Sequence, residues 1–389
     1  MTVRITFLRF IRHRPKVAKS FQYMQLGKFR LPSPAPNEPS MGLAGPGEPP
    51  STSARLCFGV TVAPEIRCAT QRFIDTNGVT LRVTEAGERG APVVLLAHGF
   101  PELAFSWRHQ IPALADAGFH VLAADQRGYG GSSRPEEIAA YNIAALTGDL
   151  VGLLDDVGAQ RATWIGHDWG GPVVWSAAQL HPDRVAGVVG LSVPPVPRPQ
   201  SPPTAAFRKI FGENFFYMLH FQEPGVADAE LDADPARTLR RMMGSLSPAD
   251  REAALLMTAP GPMGFLDRLA EPAGLPDWIS ADELDHYIAE FTRTGFTGGL
   301  NWYRNLDRNW EIMAKPPAAT IDVPTLFMGG SADPVLAFTR RDRATELVTG
   351  PYREVILEGA GHWLQQERPA EVNSVLLEFL AGLPAGAAS

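Results

Sequence analysis

The sequence predicts an α/β fold: a mostly parallel twisted sheet flanked by helices and interrupted by an inserted helical cap. Two observations carry the sheet and a third carries the cap. Short apolar runs of strand length alternate with segments of helical periodicity, a pattern that implies parallel pairing through right-handed crossovers. Candidate functional residues fall directly after those runs, where open parallel sheets gather them. The cluster Pro194-Pro195-Val196-Pro197-Arg198-Pro199 then ends the alternation, and about a hundred mostly helical, aromatic-rich residues pass before Pro324-Thr325-Leu326-Phe327-Met328 restores a strand.

In chain order, the first thirty residues hold eight Lys or Arg and no acid. With Ile5, Phe7, Leu8, Phe10 and Ile11 among them, they suit either a targeting or membrane-surface segment or a disordered leader, with Met41 as an alternative start; the leader is the reading adopted. The apolar stretch is too short and too broken by arginine for a secretory signal. Residues 31–50 carry seven prolines, a linker composition. Residues 1–70 are thus expected as a poorly ordered extension, with the folded unit starting near Gln71. Arg72-Phe73-Ile74 and Val79–Val83 flank Thr76-Asn77-Gly78, the signature of a hairpin. Val93–Ala97, Phe119–Ala124, Thr163–Ile165 and Val185–Ser192 read as buried strands. Ile143, Leu146, Leu150, Leu153, Leu154 and Val157 form one face of a helix. Arg353–Leu357 reads as the last strand, and Pro369–Leu380 as a closing helix with Val372, Val375, Leu376 and Phe379 on one face. The core is expected over residues 71–195 and 316–389, and the cap over 196–315.

A length of 389 residues exceeds the size at which single cores stop growing, which suits a main domain plus an insertion. A net charge of −7 without a basic stripe gives no reason to expect a nucleic-acid partner. Cys57 and Cys68 are too few for a disulfide framework or a zinc site, so no metal or other cofactor is expected and a reducing cytoplasm fits. No apolar run reaches the roughly 18 residues of a membrane span. Pairing of copies as a homodimer stays open.

The chemistry starts at Gly166-His167-Asp168-Trp169-Gly170-Gly171, between the strand-like Arg161–Ile165 and the helix-like Pro172–Ala178. This is the strand, sharp turn, helix context of a nucleophile elbow, with a carboxylate at the apex where serine is commoner. The difference decides the reaction. A carboxylate attacking a saturated carbon leaves an ester that water can open, whereas serine would leave an ether. Aspartate therefore argues for displacement at an alkyl carbon followed by hydrolysis. Asp333 in Gly329-Gly330-Ser331-Ala332-Asp333-Pro334 and His362 in Gly359-Ala360-Gly361-His362-Trp363 each follow a candidate strand, giving the chain order nucleophile, acid, histidine. His98-Gly99-Phe100-Pro101 is placed to lend the Phe100 amide beside that of Trp169 as an oxyanion hole.

On these residues the chain resembles the α/β-hydrolase-fold epoxide hydrolases of the soluble type, over about residues 71–382. The likeness is strongest at His98-Gly99-Phe100-Pro101-Glu102, at Asp125-Gln126-Arg127-Gly128-Tyr129-Gly130 and at the elbow. Phe215–Gly225 and Gly299–Asn305 resemble the two cap segments that each supply an epoxide-binding tyrosine, so the resemblance implies that role for Tyr217 and Tyr303. His220 stands where relatives often carry an aromatic. The implied reaction is conversion of a small apolar epoxide and water to a vicinal diol. Ring opening develops alkoxide, which two protonated phenols can receive while Asp168 attacks carbon from the opposite face. His362, oriented by Asp333, then activates water against the Asp168 ester, with Phe100 and Trp169 amides on the oxyanion. Phe216 and Trp302 are expected in an apolar pocket.

Duller readings accompany each residue. Asp168 could cap a helix, Asp333 could begin a turn with Pro334, and the tyrosines could be core residues with wet hydroxyls. His98 and His167 are read as holding loop backbone, and Asp125 with Arg127 as a loop-holding pair. The rival enzyme is a haloalkane dehalogenase on the same nucleophile, but halide departure wants N–H donors such as an asparagine at the position of Phe100, and has no use for two phenols. A fluoroacetate-type enzyme would want arginine where Trp169 stands. No Gly-x-Ser-x-Gly is present for a serine hydrolase. A non-catalytic binder would not need all five groups.

Overall fold

Asn77 and Gly78 both take positive φ, 47° and 77°, so the Asn-Gly pair makes the tight turn that the right-handed strand twist favours. It joins β1 (Ala69–Thr76) and β2 (Val79–Ala86), paired antiparallel from Thr76↔Val79 out to Ala69↔Ala86. The first strand thus begins slightly before Gln71. The computed structural model describes residues 64–245 and 258–384. The basic leader, the proline-rich stretch, Met41 and Cys57 lie outside the described residues.

Six further strands complete the sheet: β3 (Val93–Ala97), β4 (His120–Ala124), β5 (Ala162–His167), β6 (Val185–Leu191), β7 (Thr325–Gly330) and β8 (Tyr352–Leu357). Their order is β1-β2-β4-β3-β5-β6-β7-β8, antiparallel through the β2–β4 pair and parallel from β4 onward. Every residue of β3 through β7 is buried, which explains their unbroken apolar runs: a parallel sheet is covered on both faces. Alternate side chains divide between two apolar layers. Leu95 and Trp164 face one, while Leu96 and Ile165 face the other.

Helices α1 (Gln110–Asp116), α2 (Ile143–Val157) and α3 (Gly170–Leu180) cover the sheet. The Asn142 side chain accepts from the Ala145 amide at the start of α2, and Gly158 closes it at φ 72°. Between β6 and β7 the chain leaves the sheet and forms α4 (Pro203–Phe211), α5 (Tyr217–His220), α6 (Val226–Asp232), α7 (Pro235–Ser245), α8 (Ala281–Thr294), α9 (Thr297–Arg304) and α10 (Leu306–Ile312). Ser280 and Glu283 cap α8 reciprocally, each side chain accepting from the other's amide. Two short helices, α11 (Ala344–Leu347) and α12 (Leu364–Glu367), precede the closing helix α13 (Pro369–Ala381). Its most buried line is Val372, Leu376 and Leu380, with Val375 and Phe379 half-buried beside it, so the face is rotated from the expected one. No helix among the described residues is long and apolar enough to cross a membrane.

Candidate active site

Asp168 leaves β5 at φ 49°, a conformation unfavourable to a residue with a Cβ, and its carbonyl accepts from the Gly171 amide as α3 begins. Such strain costs of order 1–3 kcal/mol and persists only where the surroundings enforce it. Gly99 shows how closely they do: a Cβ there would lie 2.4 Å from that of Asp168. The apex carboxylate stands at the N-terminus of α3, where the helix dipole favours negative charge.

The three sequence-predicted triad members meet. His362 Nε2 is 3.5 Å from Asp168 Oδ2, and its Nδ1 is 3.2 Å from both oxygens of Asp333. Asp333 also accepts from the Val335 amide at 2.8 Å, so it both begins its turn and faces the histidine. Burial alone would push the Asp168 carboxyl up, but the hydrogen bond and charge of His362, the nearby His167 and the Phe100 amide hold it below its ordinary value. Asp333 is held low in the same way, against its burial, by His362 and Ser192. For His362 burial works toward the neutral ring, yet Asp333 and Asp168 win and raise it well above the usual value. The pair charges of His362 with Asp168 and Asp333 thus outweigh burial at all three groups.

Of the two amides expected in the oxyanion hole, that of Phe100 donates to Asp168 Oδ1 at 2.9 Å. Trp169 adjoins Asp168 at the head of α3, its ring centroid 5.0 Å from that of Tyr303. Tyr303 descends on α9 because Gly298 and Gly299 let that helix approach the sheet loops. A Cβ at Gly298 would lie 2.2 Å from the Gly128 carbonyl, and one at Gly299 2.5 Å from the Phe100 ring. Tyr217 starts α5 with its ring 5.9 Å from that of Tyr303, and Gln222 ties the two segments by donating to the carbonyls of Met218 and Tyr303 at 2.7 and 3.0 Å. Burial first, then the charge of Asp168, pushes both phenols up, so both keep their protons as donors. Trp302 is fully buried behind Trp169, its indole donating to the Arg127 carbonyl. Phe216 packs against Phe211, Phe207 and Tyr217.

Sequence reasoning missed three groups. Ser192, buried at the end of β6, lies 2.8 Å from His362 Nδ1 and donates to Asp333. Glu102 accepts from the Gly99 amide at 2.7 Å, pairs with His167 Nδ1 at 2.7 Å and accepts from Gln365 at 2.9 Å, all buried. Glu367 accepts from the amides of Gly361 and Trp363, at 2.7 and 2.9 Å, on either side of His362. Ser192 also follows a strand, the only signal the sequence offered for it. Asp125 and Arg127 are not a pair, contrary to expectation. Arg82 holds Asp125, and Arg127 holds Asp149 at 2.6 and 2.8 Å. His98 does hold loop backbone, accepting from the Gln126 amide and meeting the Gly99 carbonyl. Among the described residues no cluster of three or more His, Cys, Asp or Glu side chains could hold a metal.

The α/β hydrolase fold family matches residues 92–369. The chain is 73% identical over 315 residues to epoxide hydrolase A of Mycobacterium tuberculosis, covering 81% of this chain and 98% of that one. It is 40% identical over 305 residues to the bifunctional epoxide hydrolase 2 of Rattus norvegicus, covering 78% of this chain but 54% of the longer rat protein. The crystal structure of epoxide hydrolase A from Mycobacterium thermoresistibile superposes with a TM-score of 0.80 at 68% identity, over 81% of this chain and 99% of that one. An endophytic Streptomyces epoxide hydrolase gives 0.77 at 40% identity, over 81% and 96%. The chain belongs to the epoxide hydrolases of the α/β hydrolase fold.

Proposed function

We propose that this protein converts an apolar epoxide to a vicinal diol through an ester formed on Asp168. The reading rests above all on one arrangement: a strained apex carboxylate with the Phe100 amide on one oxygen and His362 Nε2 3.5 Å from the other. Asp168, ionised, attacks a ring carbon while Tyr217 and Tyr303, the latter 4% exposed, donate to the epoxide oxygen and one of them yields its proton. Esterification removes the Asp168 charge, one of the two that kept His362 protonated. The imidazolium then returns a proton to the phenolate or solvent and becomes a base. Water, deprotonated at Nε2, attacks the Asp168 carboxyl carbon, the oxyanion rests on the amides of Phe100 and Trp169, and its collapse breaks the ester bond, the leaving alkoxide taking the proton back from Nε2 as the diol departs.

Residues 196–315 act here as a cap that carries both tyrosines over the sheet, with Phe216 as an apolar wall, while Trp302, expected beside it, packs behind Trp169 and supports the site from the core. The cytoplasm suits an enzyme whose Cys68 is a free thiol. A single turnover with styrene oxide in heavy-oxygen water, followed by digestion, tests the reading. Label is expected in the peptide bearing Asp168; label confined to the diol would overturn it. Bromide from 1-bromobutane with no diol from epoxide would favour the dehalogenase instead. His362→Gln should accumulate the ester as a mass increase equal to the substrate.

A further inference from the structure

We propose that Ser192 is a positioning residue of the ester-hydrolysis step, taking the Nδ1 hydrogen of His362 and giving its own to Asp333, so that the acid acts on the base through a hydroxyl. This rests on the alkyl-aspartate reading above. Three observations carry it.

The first is distance. His362 Nδ1 lies 2.8 Å from Ser192 Oγ but 3.2 Å from each oxygen of Asp333, and one N–H cannot align with all three. An ionised carboxylate only accepts, so the hydroxyl hydrogen of Ser192 goes to Asp333 Oδ2 and its lone pairs are left for the histidine. The directions of all three groups are then satisfied, in the order imidazole, hydroxyl, carboxylate.

The second is topology. β5, β6 and β7 are neighbours, and they end in Asp168, Ser192 and the loop to Asp333. Main-chain bonds fix the spacing: the Asp168 amide donates to the Leu191 carbonyl at 3.2 Å, and the Ser192 amide to Met328 at 2.8 Å. A side chain at the end of β6 must stand between nucleophile and acid.

The third is backbone. Ser192 has φ 72°, and the Val193 amide reaches back to the Leu191 carbonyl at 2.9 Å, a γ-turn of the kind rarely formed by a residue with a Cβ. Glycine would meet this conformation without strain. The hydroxyl is fully buried and all its bonds go to the two groups named, so backbone geometry alone gives no reason for a serine here.

The test is a quenched single turnover of styrene oxide by the full chain, counting ester on the Asp168 peptide as it rises and falls. Ser192→Gly removes the hydroxyl while relieving the backbone, so it remains folded; Ser192→Ala removes the hydroxyl alone. In both, the ratio of ester-formation rate to ester-loss rate is expected to rise about tenfold, part of the ~10²–10⁴ that a positioned base supplies. Because serine and acid act as one unit, Ser192→Ala joined to Asp333→Asn should lose ester no more slowly than Asp333→Asn alone, within about twofold. An unchanged ratio in Ser192→Gly, with or without a shift in Tm, overturns the proposal. So do losses that multiply in the double variant. Ester absent from every variant, His362→Gln included, would overturn the parent mechanism and this inference with it, whereas ester that forms and decays at the unmodified rate overturns this inference alone.

Discussion

His167 Nε2 lies 2.8 Å from the carbonyl oxygen of His362, so the imidazole that ends β5 holds the main chain of the proposed catalytic base. A carbonyl can only accept, which places a hydrogen on Nε2; the opposite nitrogen, Nδ1, faces Glu102 at 2.7 Å. Burial would raise the Glu102 carboxyl, but His167 dominates and keeps it below its ordinary value. His167 beside Asp168, the loop of His362 and the Gly99 turn thus meet at one buried acid.

Glu102→Ala leaves the Gly99 amide, His167 and Gln365 without their acceptor. Removing one partner of a buried pair costs ~3–5 kcal/mol, and chemical denaturation should show a loss of that size. A variant as stable as the parent protein would mean that water replaces the carboxylate at no cost.

Tyr217→Phe and Tyr303→Phe each remove one donor from the developing alkoxide. Loss of one such donor typically costs about 10²-fold, and the loss should fall on ester formation. Decay of ester already formed should stay within about twofold, since neither phenol faces that step. Stopped-flow quenching of tryptophan fluorescence separates the two, and equal slowing of both would refute the assignment of the phenols.

Stability should depend on pH through the same charges. His362 is raised in the folded state, so its contribution is complete below the unfolded value of about 6.5 and is lost as pH rises through the higher folded value. Asp168 and Asp333 are lowered, so theirs is complete above about 3.9 and is lost as pH falls through the lower folded values. Tm should therefore be greatest between about pH 4 and 6.5 as far as these groups decide it. His362→Gln should flatten the alkaline decline; a decline as steep in the variant would place its origin elsewhere.

Arg127→Ala should be harmful to stability and indifferent to chemistry. It strips Asp149 of two charged donors where burial already raises that carboxyl, at a cost of ~3 kcal/mol or more. Asp149→Leu in the same chain should recover much of the loss, because no unpaired charge then remains. If the double variant unfolds as early as the single one, Arg127 contributes by packing and not by pairing.

What the sequence declared and what it withheld follow from how far each interaction reaches. The Asn-Gly turn, the glycines about Asp168 and the unbroken apolar strands are local necessities, and local residues announce them. Asp333 and His362 were legible because a parallel sheet brings strand ends together, whatever the separation along the chain. Glu102 with His167, and Arg127 with Asp149, are choices among several charged residues, settled only when β3, β5 and α2 are in place. Ser192 escaped because a serine after a strand is ordinary, and its role lies in which two side chains flank it. The face of α13 was misjudged by a small rotation, since Phe379 and Leu380 are equally apolar and the sheet takes Leu380.

The excursion between β6 and β7 carries both phenols, while Asp168, Asp333 and His362 all follow strands of the sheet. Under the proposed chemistry, opening the ring enlists both parts of the chain, but releasing the diol enlists the sheet alone. Under that chemistry, substitutions between β6 and β7 can change how the ring is opened while the groups that split the ester stay as they are.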